Sequence, residues 1–551
     1  MSDRLRRGLE ATAVGIVVLV ILAATADHYG LGYDEPVYMS RAQEASAWLS
    51  LLERNPGLAL SDQGIEPYWN ARSEQQLGFV KLWGALTTPI FAGVLPALAA
   101  LRSGTLILVA LLCASLYLFV ASLWGRLEAV AAVGVLLTMP RVFAHSHLFA
   151  LDAPVMATTF IALHLVFISA RERSSPERSW WWAAAAGAMW GLAMGCKVNG
   201  MFVPLIALPW LALCARDALL PVVVCGAALG PLTFWLSWPW LWHDTPARLA
   251  SYVRFHGKHW QISVTYFGRM YAPAPWHYPL VMTLITVPVG TLAAIAAGAW
   301  RMIADRGRVI MGGGWRGRWA DPAFRRSAAG ALIGWGLLVN YLMNSLPGTP
   351  KYNGCRLFLP VFPLLAVVAA IGVGWAIRAL ASRIAASAHE PERTRRLMSL
   401  VLLLVAGALA ARTVMECHPH QLSYYNAVIG GLRGAERRGM EVTYWGETYL
   451  DGAGWLNQHA PRMAVAWIEP PGVEATMGVY RTLGLLRPDI RTVAGPEALA
   501  GADYAVFQNK VTEFSDTARD LLDTRTPIVP AELDGVPLIY IFELRDTGGN
   551  P

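Results

Sequence analysis

Charge is the scarce ingredient of this chain. Only 15% of its 551 residues are Asp, Glu, Lys or Arg, and 55% are hydrophobic, at a mean hydropathy of +0.40. A soluble globular protein carries about 25% charged residues, so a fully soluble chain is excluded. Cysteine is sparse as well. Cys113, Cys196, Cys214, Cys225, Cys355 and Cys417 include no CxxC pair, which argues against a zinc site or a disulfide framework. Four of them sit in apolar runs, where a thiol is a small hydrophobe. The net charge of +7 needs no nucleic-acid partner, because the basic residues gather in short loops between apolar runs.

What is abundant is apolar length and tryptophan, 23 of them, a residue that favours the membrane–water interface. A spanning helix needs about 20 mainly apolar residues. Candidates lie near 9–27, 104–123, 127–142, 150–170, 181–196, 199–214, 218–239, 279–300, 327–346, 356–377 and 397–414. The first reads as a membrane helix and not a cleaved signal, since its apolar core is long and no soluble domain follows at once. A further stretch at 79–100 contains two prolines and reads either as a span or as a helix lying along the surface. Positive charge chooses between them. Arg4, Arg6 and Arg7, the trio Arg171, Arg173 and Arg178, and the Arg-rich segments 301–326 and 378–396 share one side only if 79–100 does not cross. Eleven crossings follow, with the N-terminus inside. Segments 28–103, 142–150, 240–278 and 346–356, the surroundings of Lys197 and everything after 415 then lie outside. The tail 416–551 has soluble composition. Its strand-like runs "MAVAWI", "DYAVF" and "PLIYIFEL" and the turn "LDGVPL" predict a small α/β domain.

Four outer-face stretches carry chemistry. "GYDEPVY" places Asp34 and Glu35 ahead of an amphipathic helix with Pro36 in its first turn. They read as helix-start acids favoured by the dipole, or as carboxylates that take a proton or bind a cation at the membrane boundary. "HSHLFALDAP" puts Asp152 at the start of a span, with His145 and His147 better read as interfacial hydrogen bonders than as metal ligands. Lys351 and Arg356 stand just outside a late apolar helix. They, Lys197 and Lys81 are either snorkelling cations or holders of a lipid phosphate. The loop 240–278 is rich in aromatics and includes His256, Lys258, His259, Tyr266 and Tyr271, which suit a sugar ring or simply an interface. Gathered on one face, these groups suit a lipid-tethered, phosphate-linked sugar: cations for the phosphate, aromatics for the sugar, an acid for the attacking hydroxyl. Trp445, Glu447 and Tyr425 read as core and surface of the tail domain.

The ordered set "GYDEPVY", "QQLGFVKLWGAL", "HLFALDAP", "KYNGCRLFLPVFPLLA", "WPWLWHDTPARL", "YFGRMYAPAPWHYP" and "HPHQLSYYNAVIGGLRGA" followed by "YWGE" resembles the membrane glycosyltransferases of the GT-C class. The likeness is to the protein O-mannosyltransferase and lipid A aminoarabinose transferase superfamily, family 39-like, and covers almost the whole chain. It departs at "QQLGF", where that superfamily usually shows a His-Pro-Pro-like start, and at Asn353, where relatives tend to have an acid. The resemblance implies a polytopic helical GT-C fold of about eleven to twelve transmembrane helices, with residues 1–415 as catalytic domain and 416–551 as an extracytoplasmic α/β domain. It implies an inverting transfer from a polyprenyl-phosphate sugar to a hydroxyl of a protein, glycan or lipid. Asp34 would be the base and Glu35 its support, with Asp152 also in the site and Tyr352 and Arg356 at the donor phosphate. The setting would be a bacterial inner membrane. No nucleotide-sugar motif is found. A divalent cation at the Asp–Glu pair is left open. The rival reading, a lipid-linked sugar flippase or binding protein without chemistry, would not need Asp34. It is disfavoured because the halves show no convincing repeat.

Overall fold

The computed structural model describes residues 2–69, 78–257, 261–309 and 318–545. Helices stand at all eleven expected spans. Among the described residues six are long and apolar enough to cross a membrane: Asp3–His28, Ala97–Ala121, Asp152–Arg171, Arg216–Leu236, Val361–Ala385 and Pro391–Glu416. The protein is thus a multi-pass helical membrane protein, though several expected spans are shorter or less apolar than these six. The stretch 79–100 is not one element. Its helix, Gly78–Phe91, has 14 residues, about 21 Å at 1.5 Å per residue, and falls short of the roughly 30 Å hydrocarbon thickness.

The expected span 279–300 is not one straight helix. Tyr278–Thr286 and Val289–Ala304 meet at 115°. Pro288 has no N–H to continue the ladder and forces its predecessor out of helical geometry, and Val287 is accordingly extended, at φ −86° and ψ 134°. The helices sort by burial. Of the most apolar window of Asp152–Arg171, 83% is buried in protein, against 6% for Pro391–Glu416, so the first is the bundle's centre and the second faces outward. The long helix after the bend crosses Val361–Ala385 at Gly298 and Gly372. A Cβ on Gly298 would sit 1.8 Å from the Val368 carbonyl oxygen, so only glycine permits this approach.

Outside the bundle, the helices Glu35–Arg54 and Asp62–Trp69 pack with Trp238 and Trp240 through a tryptophan cluster, Trp48 meeting Trp69 edge-to-face at 5.4 Å. A short hairpin, β1 (Val264–Tyr266) with β2 (Arg269–Tyr271), follows in the next long loop. After Glu416 the chain forms a five-stranded sheet from β3 (Val465–Glu469), β4 (Arg491–Val493), β5 (Tyr504–Gln508), β6 (Ile528–Leu533) and β7 (Val536–Glu543). The order is β4-β3-β5-β7-β6, parallel across β4-β3-β5 and antiparallel beyond. The three expected strands fall on β3, β5 and β7, and "LDGVPL" is the β6–β7 turn, with Asp534 at φ 53°. The tail is sewn to the bundle. Asn426 Nδ2 donates to the Leu284 and Val287 carbonyls at the helix break, and Arg141 Nε donates to the Tyr424 carbonyl.

Candidate active site

The loop "YGLGYDE" answers to the tail. The Tyr33 N–H donates to the Trp445 carbonyl at 2.8 Å, and the Leu31 N–H donates to the Tyr480 hydroxyl at 2.7 Å. Gly30 lies so close to Glu447 that a Cβ would come within 1.8 Å of its carbonyl oxygen. This clamp fixes where the next two residues point, and they point apart. Glu35 is fully buried. Its carboxylate accepts from Arg102 Nε at 2.9 Å, Arg102 Nη2 at 2.7 Å, the Gly32 N–H and the Phe149 N–H. It holds the loop and does not line the cavity, so the expected support of the site by Glu35 is replaced by a structural ion pair. Asp34 starts the helix but its side chain makes no cap. Instead, Asp34 Oδ2 accepts from Arg356 Nη2 at 2.6 Å.

Arg356 joins three parts of the chain. It lies in a turn, Arg356–Phe358, ahead of Val361–Ala385. Its Nε donates to Asp152 Oδ2 at 3.2 Å, and its guanidinium stacks on the Trp445 indole at 4.3 Å. The other oxygen of Asp152 accepts from Lys197 Nζ. Asp152 is thus buried with both oxygens committed to cations. Cation–π contact and bidentate-style pairing are both suited to a planar guanidinium.

All of these but Asp152 face one cavity of about 740 Å³, whose lining includes Tyr33, Asp34, Lys197, His256, Tyr352, Asn353, Arg356, Trp445, Lys510 and Glu513. Lys510 Nζ donates to Glu513 Oε1 at 2.7 Å and lies 5.4 Å over the Tyr33 ring. Trp445, expected as plain domain core, is a wall of the cavity. Lys510 and Glu513 were not legible in the sequence at all. No motif marks them, and they arrive only because the tail folds over the loop.

Other expected residues stand elsewhere. Lys351 spends its ammonium on the Leu346 and Thr349 carbonyls, at 3.0 and 2.8 Å, and is not in the cavity lining. Lys81 is buried and is also outside the lining. Tyr266 is buried and bonds His277 Nδ1 at 2.9 Å, while Tyr271 pairs in the hairpin; neither lines the cavity. Lys258 and His259 lie outside the described residues. His145 Nε2 meets the Tyr444 hydroxyl at 3.1 Å, and His147 bridges the Phe143 carbonyl and Thr25. Because Asp34 and Glu35 diverge, they do not form a shared cation site. Among the described residues no group of three or more His, Cys, Asp and Glu side chains is placed to hold a metal ion.

Burial in the tail shifts its acids. Glu441 and Glu447 are both pushed up to about 7, chiefly by desolvation, which penalises the charged form.

The crystal structure of ArnT from Cupriavidus metallidurans in the apo state matches over 98% of this chain and 98% of its own, at 15% identity and a TM-score of 0.50. The chain has the GT-C fold. Residues 83–240 match the dolichyl-phosphate-mannose-protein mannosyltransferase family model, less than half of the chain. The same ArnT bound to undecaprenyl phosphate matches at 14% identity and a TM-score of 0.48, over 96% of this chain and 97% of that one. The Archaeoglobus fulgidus oligosaccharyltransferase in the apo form matches at 14% and 0.45, over 90% and 69%. No curated protein sequence matches.

Proposed function

We propose that this GT-C protein is an inverting glycosyltransferase that moves a sugar from a polyprenyl phosphate to an acceptor hydroxyl at the outer face of a bacterial inner membrane. The observation that carries the reading is Arg356 held between Asp34 and Asp152 at the wall of a cavity large enough for a sugar. The GT-C fold and the family match of residues 83–240 support the donor class. The distribution of arginines supports an inside N-terminus and an outside tail.

In the reaction the acceptor O–H gives its proton to Asp34 as its oxygen bonds to the anomeric carbon. The bond from that carbon to the phosphate oxygen breaks, and the leaving phosphate takes the electron pair. Attack opposite the leaving group inverts the centre. Arg356 and Lys197 would meet the growing negative charge, as preorganised donors do in other group transfers, with the Tyr352 hydroxyl beside them. Asp152 holds both cations in place and has no free oxygen for proton transfer. The tail supplies Trp445 beneath Arg356 and, from Lys510 and Glu513, a polar rim suited to the acceptor.

The test is a mass-spectrometric time course with purified protein and a synthetic polyprenyl-phosphate sugar. Free polyprenyl phosphate should appear only when an acceptor is present, together with glycosylated acceptor of inverted configuration. Binding of the donor without any release, whatever acceptor is offered, would point to a carrier or flippase instead.

A further inference from the structure

A second cavity lies in the bundle and shares no lining residue with the first. It holds about 560 Å³ between the helix after the break, the helix Pro322–Ser345 and Val361–Ala385. Its floor is apolar: Ile295, Ile333, Leu337, Leu365, Val368 and Ile371. Arg301, Arg326 and Ser327 also line it, and Arg326 and Ser327 belong to the end beside the Arg-rich connection. From Leu337 to Arg326 the groove follows helix for about 16 Å, the length of a good part of an acyl chain.

We propose that this groove is a binding site for an anionic glycerophospholipid, its phosphate held by Arg301 and Arg326 and one acyl chain laid along the apolar floor. Two lines of reasoning choose this occupant. Charge complementarity is the first: guanidinium groups match phosphate oxygens in pairs, and a zwitterionic headgroup would gain less from two cations. Shape is the second. Ile303 and Gly334, both in its lining, are exposed, and a chain-like ligand fits a groove running along helices better than a compact one. The leaflet, which the proposed orientation makes the cytoplasmic one, rests on that orientation; the site does not. Polyprenyl phosphate would offer the same phosphate chemistry, and the experiment separates the two.

Gly334 provides a clean probe, because a Cβ placed there meets no atom within 4 Å. Gly334→Phe, which starts from a Cβ with open space around it, should crowd the groove. The full-length protein is purified in mild detergent and reconstituted in nanodiscs of phosphatidylcholine with or without phosphatidylglycerol. Retained lipid is then read by native mass spectrometry. Phosphatidylglycerol should be retained preferentially. Arg301→Ala combined with Arg326→Ala should lower its affinity about tenfold or more, the loss expected for charge-assisted hydrogen bonds. Gly334→Phe should abolish retention while leaving glycosyl transfer at its parent rate. Equal retention of phosphatidylcholine, or retention unchanged in both variants at parent thermal stability, would overturn the site. Displacement of the glycerolipid by added polyprenyl phosphate at equimolar amounts would overturn the occupant.

Discussion

The neighbouring acids Asp34 and Glu35 each pair with an arginine, and the two pairs behave oppositely. Arg102 and Glu35 are both fully buried, and the guanidinium also donates to the Ala26, Tyr29 and Gly30 carbonyls. Arg356 and Asp34 meet at the cavity wall, where the Asp34 side chain keeps 37% of its surface exposed. The first system is closed: every partner is protein, and breaking it would strand a buried charge. The second is open to a ligand on one side. An acid that can exchange protons with a substrate must keep such an opening, and only Asp34 does.

The sharpest way to break the comparison is at the two acids. Asp34→Asn should lower the transfer rate by about 10²–10⁴-fold, the usual worth of a general base, with an unchanged thermal midpoint. Full activity with purified donor and acceptor would remove Asp34 from the chemistry. Glu35→Ala should instead cost about 3–5 kcal/mol of stability, because Arg102 loses its buried counter-charge. Thermal unfolding in detergent reads this, and a variant as stable as the parent would erase the distinction drawn between the pairs.

Smaller effects sharpen it. Arg356→Ala should raise the donor KM about tenfold or more through loss of a charged hydrogen-bond donor. Arg102→Lys should leave KM alone in whatever fraction remains folded. Trp445→Leu should raise KM about five- to tenfold, in keeping with a cation–π contact between two buried groups; no change would mean the tail merely covers the site. A separate effect concerns pH. Glu441 and Glu447, raised to about 7 by burial, hold protons in the fold that the unfolded chain gives up near its ordinary carboxylate pKa. The folded state therefore binds more protons between about pH 4.5 and 7, and stability falls as pH rises through that window. Glu447→Gln should flatten the fall, as measured by the thermal midpoint across the range; an unaltered slope would assign it to other groups.

Much of this was legible before folding. Apolar length placed a helix at every expected span, and alternating apolar runs located β3, β5 and β7, because burial of one face leaves its period in the sequence. The candidates Asp34, Arg356, Lys197, Tyr352 and His256 share one cavity, with Asp152 buried behind Arg356 and Lys197, because ionic groups at bilayer depth are costly and stand out wherever they occur. Lys81 and Lys351 stood out for the same reason and yet lie outside it. A cation's depth in the sequence does not say which way its side chain turns.

The sequence by itself determined that this chain is a helical membrane protein with a folded tail and a set of acids and cations beside its apolar helices. Only the tertiary structure decided between Asp34 and Glu35. Consecutive residues at a helix start leave the axis about 100° apart, so one turned inward to Arg102 and the other toward Arg356. The walls supplied by Trp445, Lys510 and Glu513 were likewise a matter of folding, since no local pattern can announce a contact made across some four hundred residues of chain.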